Sequence, residues 1–156
     1  MKKLRIAYEI KAALISFLIT LIIFSIIKNF EFKKIEKFKV IKVIDGDTIV
    51  LENGEKVRLI GIDTPEIGEK CYLEAKNFLQ KLIENKTIYL EIDGLNKDKY
   101  GRLLRHVYLN GSYVNLLMIK EGLAFYFPYK SKYSNILFKE EEMARKNKIG
   151  CLWNNI

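Results

Sequence analysis

The chain has 156 residues, with 27 Lys plus Arg against 19 Asp plus Glu and a formal net charge of +8. This length suits one domain with something attached. The charge favours a polyanionic partner, either nucleic acid or an anionic membrane surface. Two cysteines are too few for a Cys-rich zinc site. The single histidine, His106, alternates with Val107 and Tyr108 in a strand-like run, so a histidine-based mechanism is unsupported.

Residues 1–11 form a basic segment, with Lys2, Lys3, Arg5 and Lys11 against Glu9. Residues 12–27 are uncharged and dominated by Leu, Ile and Phe. As a helix this run is about 24 Å long, short of a ~30 Å hydrocarbon core, and Lys11 and Lys28 can snorkel to close the gap. It reads as a transmembrane anchor. A cleaved secretory signal is the alternative, but no small-x-small pair follows the run. The basic N-terminus points inward, which puts the rest outside the cytoplasm. Residues 28–39 read as a charged linker, and 40–156 as the folded domain.

Strands are expected at 40–44, 48–52, 56–62, 87–92 and 103–109, from β-branched and alternating residues. Asn53-Gly54 signals a hairpin with positive φ at both turn residues, and Asn110-Gly111 repeats the signal. Helices are expected at 72–84 (Ala75, Phe78, Leu79, Leu82 and Ile83 on one face), 112–120 and 134–148. Trp153 reads as core packing. The result is an α+β domain whose five short strands suit an OB-fold β-barrel with three helices.

The chemistry concentrates between Ile44 and Glu66, IDGDTIVLENGEKVRLIGIDTPE. The hairpin brings Asp47 near Asp63, and like charges so placed need neutralising. A hard divalent cation does this through carboxylate oxygens. Taken singly, each acid is also an ordinary turn former. Arg58 and Arg102 can clamp the oxygens of a phosphodiester, and Glu66 can accept a proton from water or orient it. Between the fourth and fifth strands, Asn96–Arg102 (NKDKYGR) sets Lys97, Lys99 and Arg102 around Tyr100, a loop suited to phosphates and base faces, or merely solvated. The run Phe125-Tyr126-Phe127-Pro128-Tyr129 either stacks on a base or covers the barrel end. Cys71 and Cys151 form a disulfide or remain two buried thiols. A disulfide would close a loop of about 80 residues, worth roughly 4 kcal/mol by chain entropy.

Five motifs, in order, carry a resemblance: IDGDT at 44–48, RLIGIDTPE at 58–66, DKYGR at 98–102, VNLLMIKEGLA at 114–124, and a Glu/Lys-rich helix ending in Trp153. From about Val40 to Trp153 the chain resembles the thermonuclease family, the staphylococcal nuclease-like domains. The resemblance implies an OB-fold endonuclease, dependent on Ca2+, that cleaves DNA and RNA and leaves 3′-phosphates. It implies Asp47, Asp63 and the Thr64 carbonyl as calcium ligands, with Asp45 behind them. It implies Arg58, Glu66 and Arg102 as catalytic residues, and Lys99 and Tyr100 at the nucleotide pocket. Tyr126 and Tyr129 are candidates for the aromatic pair that covers the base. The segment 67–72 is much shorter than the loop that follows the glutamate in the secreted bacterial enzyme.

The expected protein is therefore a single-pass, membrane-anchored, extracytoplasmic nuclease acting on nucleic acid, single strands favoured, with no protein partner. Secretion after signal cleavage is the alternative location. Rival functions are an inactive nucleic-acid-binding module on the same fold and a lipid-binding membrane protein.

Overall fold

The computed structural model describes residues 2–29 and 35–154. The chain divides into two compact units, residues 1–33 and 34–156. The first contains α1 (Lys2–Asn29). Its described side chains from 13 to 25 are all exposed. Among the described residues, no helix is long and apolar enough to cross a membrane, so the transmembrane anchor expected over 12–27 is not borne out. The side chains at 12, 26 and 27, which belong to that expectation, lie outside the described residues, as do linker positions 30–34.

In chain order the second unit contains β1 (Ile35–Val43), β2 (Thr48–Leu51), β3 (Lys56–Leu59), β4 (Ile62–Asp63), α2 (Tyr72–Ile83), β5 (Thr87–Glu91), β6 (Leu103–Leu109), β7 (Ser112–Tyr113), α3 (Val114–Lys120), β8 (Phe125–Tyr126), α4 (Ser134–Lys146) and α5 (Gly150–Trp153). β1 is the hinge of the sheet. Its first half, Ile35 to Lys39, pairs antiparallel with β5, and its second half, Val40 to Val43, pairs antiparallel with β2. An irregularity between Val40 and Lys42 bends it from one partner to the other. β2 pairs with β3, β3 runs parallel to β6, and β6 pairs back to β5. The circuit β1-β2-β3-β6-β5 closes a five-stranded barrel, as the sequence leads one to expect.

Two strand bounds differ from expectation by more than one residue. β1 begins at Ile35 rather than 40, because Glu36, Phe38 and Val40 alternate toward the interior while Lys37 and Lys39 face out. The third strand stops at Leu59. Gly61, at φ +77, turns the chain so that β4 leaves the barrel and pairs with β8. Of the two Asn-Gly turns, Asn110-Gly111 has positive φ at both residues, whereas at Asn53-Gly54 only Gly54 does. There Leu51 N–H donates to Glu55 O, which closes a longer loop.

The barrel is filled by Val40, Ile49, Leu51, Val57, Leu59, Ile88, Leu90 and Val107. α2 seals one end with Ala75, Leu79 and Ile83, while Phe78 and Leu82 lie half-buried beside them. α3 buries Val114, Met118 and Ile119, and α4 buries Leu137 and Ala144. Each fully buried aliphatic side chain of this kind contributes about 1.5–3 kcal/mol. Trp153 is buried against Phe125 and Arg145, which confirms a packing role. His106 is fully buried, with Nδ1 2.7 Å from Tyr113 OH and Nε2 3.1 Å from Ser131 Oγ, a structural histidine.

Candidate functional site

The site grows from the turn 44–48 and the β3–β4 junction. Asp45 Oδ1 accepts the Asp47 N–H at 3.0 Å and fixes the turn. Gly46 is required by close approach, since a Cβ there would lie 2.8 Å from the Thr64 side chain. That approach lets Thr64 donate both its N–H and its hydroxyl to Asp47 Oδ2, each at 3.0 Å. Thr48 Oγ1 donates to Asp47 Oδ1 at 3.0 Å. Asp47, only 6% exposed, is thus held from several sides. Burial pushes its carboxyl up to about 6, against the opposing pull of Arg58 and the threonine hydrogen bonds.

Arg58 projects from β3 opposite Thr48. Its Nη1 lies 2.9 Å from Asp47 Oδ2 and its Nη2 lies 2.6 Å from Asp63 Oδ1. Nη1 also donates to the carbonyls of Leu59 and Ile62. The fold does bring the two acids together, as the hairpin predicts, and one guanidinium spans them. A single positive charge between two carboxylates leaves that pair net negative. The remaining donors are all oxygen: a half-exposed Asp63, Asp47 and the adjoining Thr64 main chain. That chemistry fits a hard cation with water completing its shell. Among the described residues no cluster of three or more His, Cys, Asp or Glu is assembled, so a cation here would rest on two side chains.

Arg102 immediately precedes β6, the parallel neighbour of β3. Asp98, which the sequence reading left without a role, holds it. Asp98 Oδ2 pairs with Arg102 Nε at 2.7 Å, and Oδ1 accepts the N–H groups of Tyr100 and Arg102. Burial pushes the Asp98 carboxyl up, but these hydrogen bonds and the Arg102 charge outweigh it and hold the group below its ordinary 3.8. Arg102 Nη1 lies 3.4 Å from Thr48 Oγ1, so Asp98, Arg102, Thr48, Asp47 and Arg58 form one linked chain. A D-x-x-x-R spacing closing on its own backbone was the available signal for Asp98.

Between the arginines lies a cleft of about 340 Å³, lined by Arg58, Asp63, Asp98, Lys99, Tyr100, Arg102, Phe127 and Tyr129 among others. Tyr100 is 72% exposed, with Lys99 Nζ 5.0 Å and Arg102 Cζ 5.5 Å from its ring centroid. The two aromatic candidates are placed differently. Tyr126 is not among the cleft-lining residues; it packs against the core and Phe138, because β8 pairs it with Ile62. Tyr129 lines the cleft, but its hydroxyl donates to Asp93 O and accepts from Leu95 N–H. Phe127, part of the aromatic run that the sequence offers for base stacking but not one of the two candidate tyrosines, lines the cleft and is exposed.

Glu66 stands apart. Thr64 and Pro65 are buried, whereas every residue from 66 to 70 is exposed. The Glu66 N–H donates to Glu69 Oε2 at 2.7 Å. Its side chain is exposed to water.

Comparison with known proteins agrees with this geometry. Residues 56–155 match the family described as "Staphylococcal nuclease homologue". The chain is 37% identical over 129 residues to the thermonuclease of Staphylococcus intermedius, with 76% of each chain covered. Identity to the thermonuclease of Staphylococcus hyicus is 37% over 132 residues, with 77% of each covered. Identity to endonuclease YncB of Bacillus subtilis (strain 168) is 35% over 135 residues, covering 78% of this chain and 64% of that one. With its closed barrel, its arginine-spanned acids and this extent of match, the chain belongs to the staphylococcal nuclease homologue family.

Proposed function

We propose that this protein is a calcium-dependent endonuclease that hydrolyses phosphodiester bonds of DNA and RNA and leaves 3′-phosphates. The observation that carries the reading is Arg58 spanning Asp47 and Asp63 at one wall of a cleft with Arg102 in its lining. Arg58 and Arg102 offer two guanidinium groups to the phosphate oxygens, where negative charge builds in the transition state. A calcium ion, held by Asp47, Asp63 and the Thr64 carbonyl, would act there as a Lewis acid. Glu66 takes a proton from, or orients, the attacking water. As the water oxygen bonds to phosphorus, the bond to the 5′ oxygen breaks, and that oxygen leaves protonated by solvent. Tyr100, with Lys99 beside it, and Phe127 offer ring faces to an unstacked base, which favours single strands.

We place the activity outside the cytoplasm, attached to a membrane through α1. The Cys71–Cys151 disulfide supports the compartment, since such bonds persist in oxidising surroundings. The exposed Leu, Ile and Phe side chains of α1 support the attachment.

The test is cleavage of single-stranded DNA and RNA by the full chain in detergent, with calcium, with magnesium and with a chelator. Cleavage that requires calcium and is lost in Arg58→Ala establishes the reading. A folded protein that binds nucleic acid in calcium without cutting it would leave a binding module instead.

A further inference from the structure

The segment that carries Glu66 is the least supported part of the site. Residues 66–70 are exposed, and Ile67 is 80% exposed. The loop is bonded mainly to itself. Glu66 N–H donates to Glu69 Oε2 at 2.7 Å, Glu69 N–H donates to Glu66 O at 2.9 Å, and Tyr72 N–H donates to Glu69 O at 3.3 Å. Upstream, buried Thr64 fixes it to Asp47. Downstream it ends at Cys71, which is 3% exposed, has φ +73 and immediately precedes α2. Cys71 is joined to Cys151, with Cα atoms 5.7 Å apart across 80 positions of sequence. Cys151 belongs to α5, which buried Trp153 anchors. A left-handed backbone is costly for a residue other than glycine and persists only where the surroundings enforce it. Cys71, two residues beyond Glu69, holds that backbone while covalently joined to Cys151.

We infer that the Cys71–Cys151 disulfide is a redox-sensitive latch that holds the Glu66 loop in register with the arginines, so that reduction silences cleavage while the barrel stays closed. The barrel's closure rests on strand pairing in which neither cysteine takes part, and Cys151 packs only at the edge of the aliphatic core. Cys151 is partly exposed, so a small dithiol has access to the bond. Its thiolate attacks one sulfur and its second thiol then displaces the other. Two electrons and two protons pass to Cys71 and Cys151, giving two thiols, and the dithiol closes to a cyclic disulfide. The consequence for catalysis rests on the nuclease reading above. The consequence for the loop does not.

The experiment compares the oxidised full chain, the chain reduced by a small dithiol, and Cys71→Ser/Cys151→Ser, below their unfolding temperatures. It reads amide hydrogen exchange and steady-state cleavage of a single-stranded oligonucleotide. Reduction is expected to speed exchange at Glu66, Glu69 and Tyr72 at least tenfold while the barrel amides of Ile49, Leu51 and Leu90 stay protected. It is expected to lower kcat at least tenfold with KM within about twofold, and reoxidation should restore kcat. Unchanged loop exchange, or a kcat within twofold of the oxidised chain, overturns the latch. Fast exchange at the barrel amides also overturns it, because the bond would then hold the fold. If the double variant does not fold, the reduced wild type, checked by the same barrel amides, decides. A loop that loosens in a protein inactive in both states supports the structural latch and refutes the nuclease reading alone.

Discussion

Asp47 and Glu66 are assigned above to one proposed site, but their surroundings differ. Asp47 lies beneath the barrel mouth, 6% exposed, with Thr48, Thr64 and Arg58 all bonded to its two oxygens. Glu66 lies on an exposed loop whose bonds are short-range. Burying a carboxylate is costly unless it is paired, and the raised pKa of Asp47 records that cost even with Arg58 beside it. Holding Glu66 in water costs little and fixes little. The charged cluster at Asp47 is thus built into the folding free energy, whereas the Glu66 loop, proposed above to handle the proton, is an attachment to it. Substitutions in the two halves should separate activity from stability.

The largest expected effect is at Arg58. In Arg58→Ala, Asp47 and Asp63 lose their shared counter-charge, and the substrate loses a guanidinium. We expect kcat to fall about 10³-fold and stability to fall by about 3 kcal/mol, since breaking a buried pair strands a charge. Urea denaturation and single-turnover cleavage measure the two. Arg58→Lys should recover part of the stability and little of the rate, because an ammonium cannot span both carboxylates. Glu66→Gln is the contrasting case. Its kcat should fall about 10²–10³-fold, with the urea midpoint shifted by less than about 0.5 kcal/mol. Equal stability losses in Arg58→Ala and Glu66→Gln would collapse the distinction.

The same contrast predicts a pH dependence. In the folded chain Asp47 binds its proton more tightly than its ordinary 3.8 would allow, with a pKa of about 6. Between those values the native state retains a proton that the unfolded state releases. Stability from this group is therefore full below about pH 4, declines as pH rises to about 6, and is flat above. The shift corresponds to about 2–3 kcal/mol. Denaturation at pH 4.5 and 7 should show the decline in the wild type and not in Asp47→Asn, and calcium should reduce it by favouring the ionised form. Asp98 acts in the opposite sense. Its pKa is lowered, so its contribution is present above about pH 4 and lost as pH falls further.

Much of this was legible from sequence, and the failures share a cause. Alternating β-branched runs located five strands, and α2 showed its apolar face, because burial there follows period. The start of β1 was missed because one inward position is Glu36, which lies 3.5 Å from the buried Arg105, and a charge does not read as core. β4, β7 and β8 are each two residues long and carry no period at all. Within the site the acids and arginines were identified, but not that Arg58 spans both acids, nor that Asp98 steadies Arg102. The first depends on side-chain direction across strand neighbours, which spacing along one strand does not encode, whereas the second is a local i,i+4 pair whose D-x-x-x-R spacing was in view.

The aromatic wall provides the smallest effect and the sharpest check on register. β8 pairs Tyr126 with Ile62 and Phe125 with Asp63, and Phe127 N–H then donates to Gly61 O at 3.1 Å. Tyr126 is thereby packed on the core beside Phe138, while Phe127 lies in the cleft lining with its ring exposed. Removing a ring that stacks on a base costs about 1–3 kcal/mol. Phe127→Ala should therefore raise KM for a single-stranded oligonucleotide about tenfold, leaving kcat and the urea midpoint nearly unchanged. Tyr126→Ala should do the reverse, lowering stability through lost packing while KM holds. If instead Tyr126→Ala raises KM and Phe127→Ala does not, β8 is offset by one residue, and every side chain on it faces the other way.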